Sequence, residues 1–374
     1  MHTVLVRYGE IALKGRNRPA FLRRLRRNIR ASLAAHGLEG QVHTRGRRAY
    51  VSTYHPHAAL EPLSRVFGVV SASPVMSVTP DMDAILAEVL SQAQDAGLGA
   101  SSTFRIKARR ADKSFAVLSP EIERLTGSAV VDRFQATVDL SAEASLTIGI
   151  EVDCDRAMVY SRTVRGPGGL PVGIEGRVVS LLSGGIDSFV ATWLMMRRGC
   201  AVIPLHVAID PSDIAAVQEQ VALLQSYSHG WQLRPEIVDY RAAIAPILEQ
   251  LQSPSEQRYA CLICKRAMLT LAEDVARERD AHAIVMGDSL GQVASQTLRN
   301  IAAVSSGIGL PIFRPLVGMD KDEITALAER ISPVQTTPRS GEPCPYVAVH
   351  PATRAPLEGF LSLWTRLQRV EAPI

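Results

Sequence analysis

Residues 3–8 (Thr-Val-Leu-Val-Arg-Tyr), with a short apolar run at 4–6, read as a first strand. A polar, basic turn follows at 9–18. From 21 to 35 the period changes. Phe21, Leu22, Leu25, Ile29 and Leu33 recur three or four apart, an amphipathic helix whose other face is arginine. Residues 50–54 read as a strand, and a first small α+β unit ends near Pro56. A short helix within 60–72 leads into Phe67-Gly68-Val69-Val70-Ser71. Helices are expected at 83–96 and at 119–126, the latter with Ser119 as its cap. Residues 103–110 alternate apolar with basic, and 145–152 and 157–163 read as a strand pair. These make a second α+β unit. Gly166-Pro167-Gly168-Gly169-Leu170-Pro171 reads as a linker.

Beyond it the pattern becomes βαβα, with strands near 178–182, 201–207, 235–239 and 283–286 and helices between them. That order predicts a doubly wound parallel sheet. The expected boundaries are 1–58, 59–165, a linker at 166–176, and 177–374.

Within this region Val178-Val-Ser-Leu-Leu-Ser-Gly-Gly-Ile-Asp-Ser188 stands out. An apolar strand breaks at Ser183-Gly184-Gly185, and a helix resumes from Phe189 to Arg198, with Gly199 as its stop. A strand that turns through glycines into a helix brings backbone N–H groups and a helix N-terminus to one point, a phosphate cradle. The ordinary reading is a plain strand–turn–helix link. No Gly-Lys-Ser/Thr follows, so this is not a Walker A loop.

Charge divides the chain. Residues 1–60 carry twelve Arg or Lys against two Glu, a net +10, within a chain whose total is only +4. A polyanion-binding end is one reading and a solvated basic helix the other. Lys14, Arg16, Arg23 and Arg27, with Lys107, Arg109 and Arg110 of the alternating strand, are the candidates for contact with a polyanion. No run of 18 apolar residues indicates a membrane span, and no signal-peptide pattern opens the chain. Five cysteines, an odd number, point to a reducing cytoplasm rather than a disulfide scaffold.

Cys261 and Cys264 share one face near the start of a helix running to about Arg279, where the helix dipole is expected to lower thiol pKa. Cys344 lies in a turn-like Gly341-Glu342-Pro343-Cys344-Pro345. The spacing leaves three readings: a metal or iron–sulfur site, a redox dithiol, or buried fillers. Cys154, on a strand, and Cys200 read as structural. His206 ends the second strand of the parallel region, and its neighbourhood could read adenine. Gly287-Asp288-Ser289 is a second glycine-bearing strand end. Asp320 could cap the next helix, placing Lys321 to reach a phosphate.

These strings together resemble the tRNA 4-thiouridine synthetase (tRNA sulfurtransferase) family over nearly the whole chain. The matches are Val6 to Arg18, Gly166 to Gly176, Ser183 to Ser188, Gly287 to Thr297, and Arg314 to Lys321. The resemblance implies a ferredoxin-like domain at 1–58, a THUMP domain at 59–165, and an α/β doubly wound PP-loop ATP pyrophosphatase domain at 177–374. It also implies the reaction. ATP adenylates the C4 oxygen of uridine 8 in tRNA, and sulfur then replaces AMP.

ATP contacts carry over to Leu181, Leu182, Ser183, Gly184, Gly185, Ser188, His206, Val207, Lys265, Gly287 and Gln296. Asp187, Lys321 and Cys344 carry over as catalytic candidates, with Mg²⁺ helping pyrophosphate depart. No rhodanese-like domain follows before Ile374, and Cys261, Cys264 and Cys344 match the archaeal-type arrangement that holds a [4Fe-4S] cluster. Phe189 replaces the proline usual after the loop serine. The sulfur donor stays open between a cysteine desulfurase persulfide and free sulfide, and the oligomeric state is open to a homodimer. The competing functions are another PP-loop thiolase or amidotransferase and a non-catalytic RNA-binding protein.

Overall fold

The amino-terminal strand is realised as β1 (His2–Tyr8), whose consecutive Val4, Leu5 and Val6 are all buried, so both faces of this strand are covered. The computed structural model describes residues 1–332, 344 and 346–368. Contacts divide the chain into two units, Met1–Gly169 and Leu170–Ile374.

In the first unit, two short 3₁₀ turns lead to α1 (Arg18–Ala35), which starts with Pro19 in its first turn. Phe21, Leu25, Ile29 and Leu33 form its buried stripe. Then come β2 (Gln41–Arg45), β3 (Arg48–Thr53), α2 (Leu60–Ser64), β4 (Val69–Val78), α3 (Met82–Asp95) and β5 (Thr103–Arg110). The unit closes with α4 (Ser119–Phe134), β6 (Thr137–Val138), β7 (Leu146–Val152), β8 (Ala157–Tyr160) and β9 (Val164–Arg165). Among the described residues the strands join in the order β2-β3-β1-β4-β8-β7-β5-β6, with β9 also on β4.

The strand β4 serves two ladders. Its first part runs antiparallel to β1, with Val75 opposite Thr3, and its last three residues run antiparallel to β8, with Val78 opposite Ala157. Glu151 on β7 is buried and receives Arg7 Nε at 2.6 Å and Arg48 Nε at 2.9 Å. Burial alone would raise its pKa, but the two guanidiniums hold it below the usual carboxylate value.

Two expectations are corrected here. The helix begun at Ser119 runs eight residues beyond Thr126, to Phe134, and Leu118 rather than Ser119 occupies the cap position, with Pro120 in the first turn. Cys154 is exposed in the turn between β7 and β8 rather than placed on a strand, 3.1 Å from Arg45 Nη2. The Gly/Pro stretch is hydrogen-bonded along its length. Gly68 N–H donates to Gly168 O at 2.7 Å in the first unit, and Leu170 N–H donates to Arg197 O at 2.9 Å in the second.

The second unit contains β10 (Arg177–Leu181), α5 (Ile186–Arg197), β11 (Ala201–Ala208), α6 (Pro211–Gln225), β12 (Glu236–Asp239), α7 (Tyr240–Ala243), α8 (Ala245–Leu248) and α9 (Pro254–Gln257). It continues with α10 (Ala260–Glu278), β13 (Ile284–Val285), α11 (Leu298–Ser305), β14 (Ile312–Phe313), α12 (Lys321–Ile331) and α13 (Leu357–Gln368). Five parallel strands order as β12-β11-β10-β13-β14 among the described residues. The chain steps outward from β10 to β12 and then returns to its other side at β13. Ligands bind beyond the strand ends at such a reversal.

Pro204 sits inside β11, where it cannot donate to a ladder. It is tolerated because pairing with β12 begins only at Leu205. Of the Cys344 turn expected at 341–345, all but Cys344 lies outside the described residues.

Candidate active site

The turn after β10 is shaped by Gly184, whose φ of +78° suits glycine. Its carbonyls are tied down from behind. Gln220 Nε2 donates to Gly184 O at 2.6 Å, and Ser188 Oγ donates to Gly185 O at 3.0 Å. Ser183 N–H donates to Ser188 Oγ at 3.0 Å. At the head of α5, Gly185 is the N-cap and no side chain caps it. The first N–H groups of an α-helix have no intrahelical acceptor, so this end is a ready anion site. Phe189 uses the N–H a proline would lack, donating to Gly185 O at 3.3 Å, and buries its ring.

Gly287 is required for a different reason. A Cβ there would lie 2.7 Å from Ser188 N and 2.8 Å from Asp187 C. The end of β13 thus rests directly on the backbone of the α5 first turn.

A cavity of about 360 Å³ opens at these strand ends. Of the residues expected to contact ATP, Leu181, Leu182, Ser183, Ser188, His206, Val207, Lys265, Gly287 and Gln296 line it, together with Asp187, Cys264 and Cys344. Gly184 and Gly185 form the adjoining turn. Buried His206 donates Nδ1–H to Leu182 O at 2.8 Å, which locks the ring against the loop. Lys321, at the head of α12, lies 2.7 Å from Asp187 Oδ1. A capping box of Asp320 and Glu323 sets that helix start. Gln292 Nε2 holds the other oxygen of Asp187 at 3.3 Å.

Asp288 also lines this cavity. It is buried and accepts from Lys265 Nζ at 2.7 Å, Arg314 Nε at 3.0 Å and Gln296 Nε2 at 3.3 Å. Burial pushes its pKa up, and Lys265 and Arg314 together pull it below the ordinary aspartate value. A carboxylate accepts only, so it fixes the Gln296 amide with its NH₂ inward. The Gln296 Oε1 is buried and has no protein partner among the described residues.

The thiols depart from expectation. Cys264 is pushed up to about 12 by burial and by the neighbouring Cys344 and Cys261. Cys261 is also raised, mainly by burial. Both lie in the first turns of α10, but desolvation outweighs the helix dipole. The three sulfurs do not close to within 4.8 Å of one another; among the described residues only Asp153, Cys154 and Asp155 do so. Arg45 already donates to Asp155 and Cys154 of that trio. Cys200 is buried and raised to about 11, as suits a structural thiol.

Tyr240, Asp288 and Arg314 escaped the sequence reading as site residues. Each follows closely on the end of a parallel strand, β12, β13 and β14, so the strand-end rule applied to every strand finds them. The strand before Asp288 is legible in the sequence, but the carboxylate's partners lie on other elements; the two-residue β14 leaves too little pattern to mark Arg314.

The description "Thiamine biosynthesis protein (ThiI)" matches residues 173–365. The chain belongs to the ThiI family. The family's ferredoxin-like domain matches residues 3–73 and a THUMP domain matches 80–162. The chain is 37% identical over 369 residues to a probable tRNA sulfurtransferase of Thermococcus kodakarensis, covering 97% of this chain and 96% of the relative. It is 36% identical to one of Methanocaldococcus jannaschii, covering 94% and 93%. Among solved structures it matches a 4-thiouridine synthetase–RNA complex with bound ATP, with a TM-score of 0.82, 29% identity, and coverage of 98% and 96%. That likeness agrees with a PP-loop α/β domain preceded by ferredoxin-like and THUMP domains.

In the first unit the cationic candidates differ. Arg16, Arg23, Arg27, Lys107 and Arg109 are exposed. Lys14 Nζ stacks 4.9 Å over the Phe21 ring. Arg110 donates to Phe115 O at 2.6 Å and so braces a loop. No helix among the described residues is long and apolar enough to cross a membrane.

Proposed function

We propose that this chain is an ATP-dependent tRNA sulfurtransferase that makes 4-thiouridine at position 8 of tRNA. One observation carries the reading: the uncapped glycine turn and two sulfur side chains, Cys264 and Cys344, face one cavity. A nucleotide cradle and a sulfur supply are what thiolation through an adenylate needs side by side. The proposed division of labour gives 1–58 and 59–165 the tRNA and 177–374 the chemistry, joined at 166–176. The exposed arginines of α1 support the first part, since phosphate contacts supply most RNA affinity.

In the first step the uridine C4 oxygen attacks the α-phosphorus and pyrophosphate leaves. The turn N–H groups and Lys321 offset the charge that develops there. Asp187 would hold a Mg²⁺ ion, which would help to neutralise the charge on the departing pyrophosphate. In the second step hydrosulfide sulfur bonds to C4, the C4–O bond to AMP breaks, and the sulfur proton is released. A sulfur carried as a persulfide would require a further thiol to free the product.

Cys261, Cys264 and Cys344 suit an iron–sulfur cluster. Thiolates are the usual ligands of such clusters, and Cys264 and Cys344 line one cavity with Cys261 three residues before Cys264 on the same helix. Held by these three cysteines, a cluster would supply sulfur to the second step. The test is mass spectrometry of tRNA nucleosides after incubation with ATP, sulfide and protein. Sulfur-bearing uridine with one pyrophosphate per product is expected; tRNA unchanged by anaerobically prepared protein refutes the reading.

A further inference from the structure

The Gln296 side chain ends in an acceptor that meets no donor. The residue is 8% exposed and lines the nucleotide cavity, and its Oε1 is buried without a hydrogen-bond partner among the described residues. The amide cannot turn over to relieve this. Its Nε2 lies 3.3 Å from Asp288 Oδ1, and Asp288, paired with Lys265 and Arg314, is a carboxylate that only accepts. The backbone is held as well. Gln296 N–H donates to Val293 O at 2.8 Å, and its carbonyl accepts from Gly291 N–H at 2.9 Å. A buried acceptor left unmade is costly, so one fixed this firmly marks the place of a donor that arrives with a ligand.

The reactants offer few such donors. The phosphates of ATP and the ring nitrogens of adenine only accept. Gln296 belongs with the end of β13, while His206 and Val207, the expected neighbours of adenine, lie near the end of β11 on the other side of β10. A ribose hydroxyl rotates and accepts as readily as it donates, so it needs no oriented amide. The imide N3–H of uracil is a fixed donor on the edge by which an unstacked base is read. It stands beside C4, whose oxygen must reach the α-phosphorus. Cytosine presents a bare acceptor at the same place, and two acceptors face to face repel.

We propose that Gln296 is a specificity-determining residue for the target base, its Oε1 receiving uracil N3–H, and that Asp288 is the positioning residue that keeps the amide the right way round. The inference rests on the sulfurtransferase reading and names how that site selects its base. The contact recognises the base and moves no proton, since a neutral amide is no base. As O4 bonds to phosphorus and the bond to pyrophosphate breaks, N3 gives its proton to solvent.

The experiment uses tRNA transcripts with uridine, cytidine or 3-methyluridine at the target position, bound in the presence of α,β-methylene ATP so that no turnover intervenes. Wild-type protein is expected to hold the uridine transcript at least about tenfold more tightly than either of the others. Gln296→Met, close in size but without the acceptor, is expected to narrow the uridine–cytidine gap to within about threefold, with its melting temperature and affinity for the ATP analogue near wild type. Asp288→Asn can donate to Oε1 and let the amide turn over, so it is expected to narrow the gap likewise.

Wild-type protein that binds the cytidine or 3-methyluridine transcript as tightly as the uridine one overturns the proposal without any variant. An unchanged gap in Gln296→Met also overturns it, and an unchanged gap in Asp288→Asn overturns the positioning role. Preference for ATP over its 2′- or 3′-deoxy forms that vanishes in Gln296→Met assigns the acceptor to ribose instead. Failure of the functional reading is seen separately, as no thiouridine by mass spectrometry when wild-type protein, ATP, sulfide and the uridine transcript are combined.

Discussion

Lys321 Nζ lies 2.7 Å from Asp187 Oδ1, which joins the first turns of two helices 134 residues apart in sequence. The lysine is about half exposed, and surface ion pairs of this kind contribute under about 1 kcal/mol to stability. The pair is better understood as a poised charge. Bound phosphate would compete for the ammonium and leave Asp187 available. Lys321→Met should therefore lower tRNA-dependent pyrophosphate release about 10²-fold or more while leaving the melting temperature close to wild type. A variant that melts early and turns over normally would contradict this assignment.

Gly287 tests the seating of β13 on the loop. Gly287→Ala must push Asp187 and Ser188 aside, since the clash is with backbone. A loss of about 1–3 kcal/mol and a weaker ATP affinity are expected, measured by denaturant titration and calorimetry. An alanine variant with wild-type ATP affinity would show that the loop moves freely.

Asp288→Ala would leave Lys265 and Arg314 facing each other without their shared carboxylate. Such a loss costs about 3–5 kcal/mol. All three tryptophans, Trp193, Trp231 and Trp364, belong to the second unit, so their fluorescence reports this unfolding directly. Asp288→Asn, which keeps the shape and can still accept, should lose less.

Glu151 makes the first unit sensitive to acid. Its folded pKa lies below the reference value of 4.5, so its contribution is complete above that pH. The contribution disappears as pH falls from 4.5 through the lowered folded value. Limited proteolysis of the full chain at graded pH, with fragments mapped by mass, should show cleavage near β1 and β7 setting in across that window. Glu151→Gln should show it already at neutral pH.

On the RNA side, Arg23→Glu and Arg27→Glu should each weaken tRNA binding and reduce the salt slope by about one ion. Filter binding at several salt concentrations measures both. Unchanged affinity and slope would mean that α1 carries its charge for solvation alone.

Much of this architecture could be read from periodicity. The glycine turn, the helix after it and the basic face of α1 are strong local signals, since each is set by neighbours in sequence. What stayed hidden depends on distant partners. The Asp288 network draws on α10, β14 and the 3₁₀ turn at Ala294–Gln296, none adjacent in the chain. The thiol behaviour of Cys264 was misjudged because the helix start was visible and the surrounding core was not. Ser119 looked like a cap by residue type, but Pro120 beside it moves the helix start back by one.

The shared strand β4 has a mechanical meaning. A pull on either ladder of the first unit is passed along one continuous backbone to the other, so the opening of one half is expected to loosen the other. Tension from a bound polyanion would be felt across the whole of residues 1–169 at once, and the lobe should yield in a single step under force rather than in two.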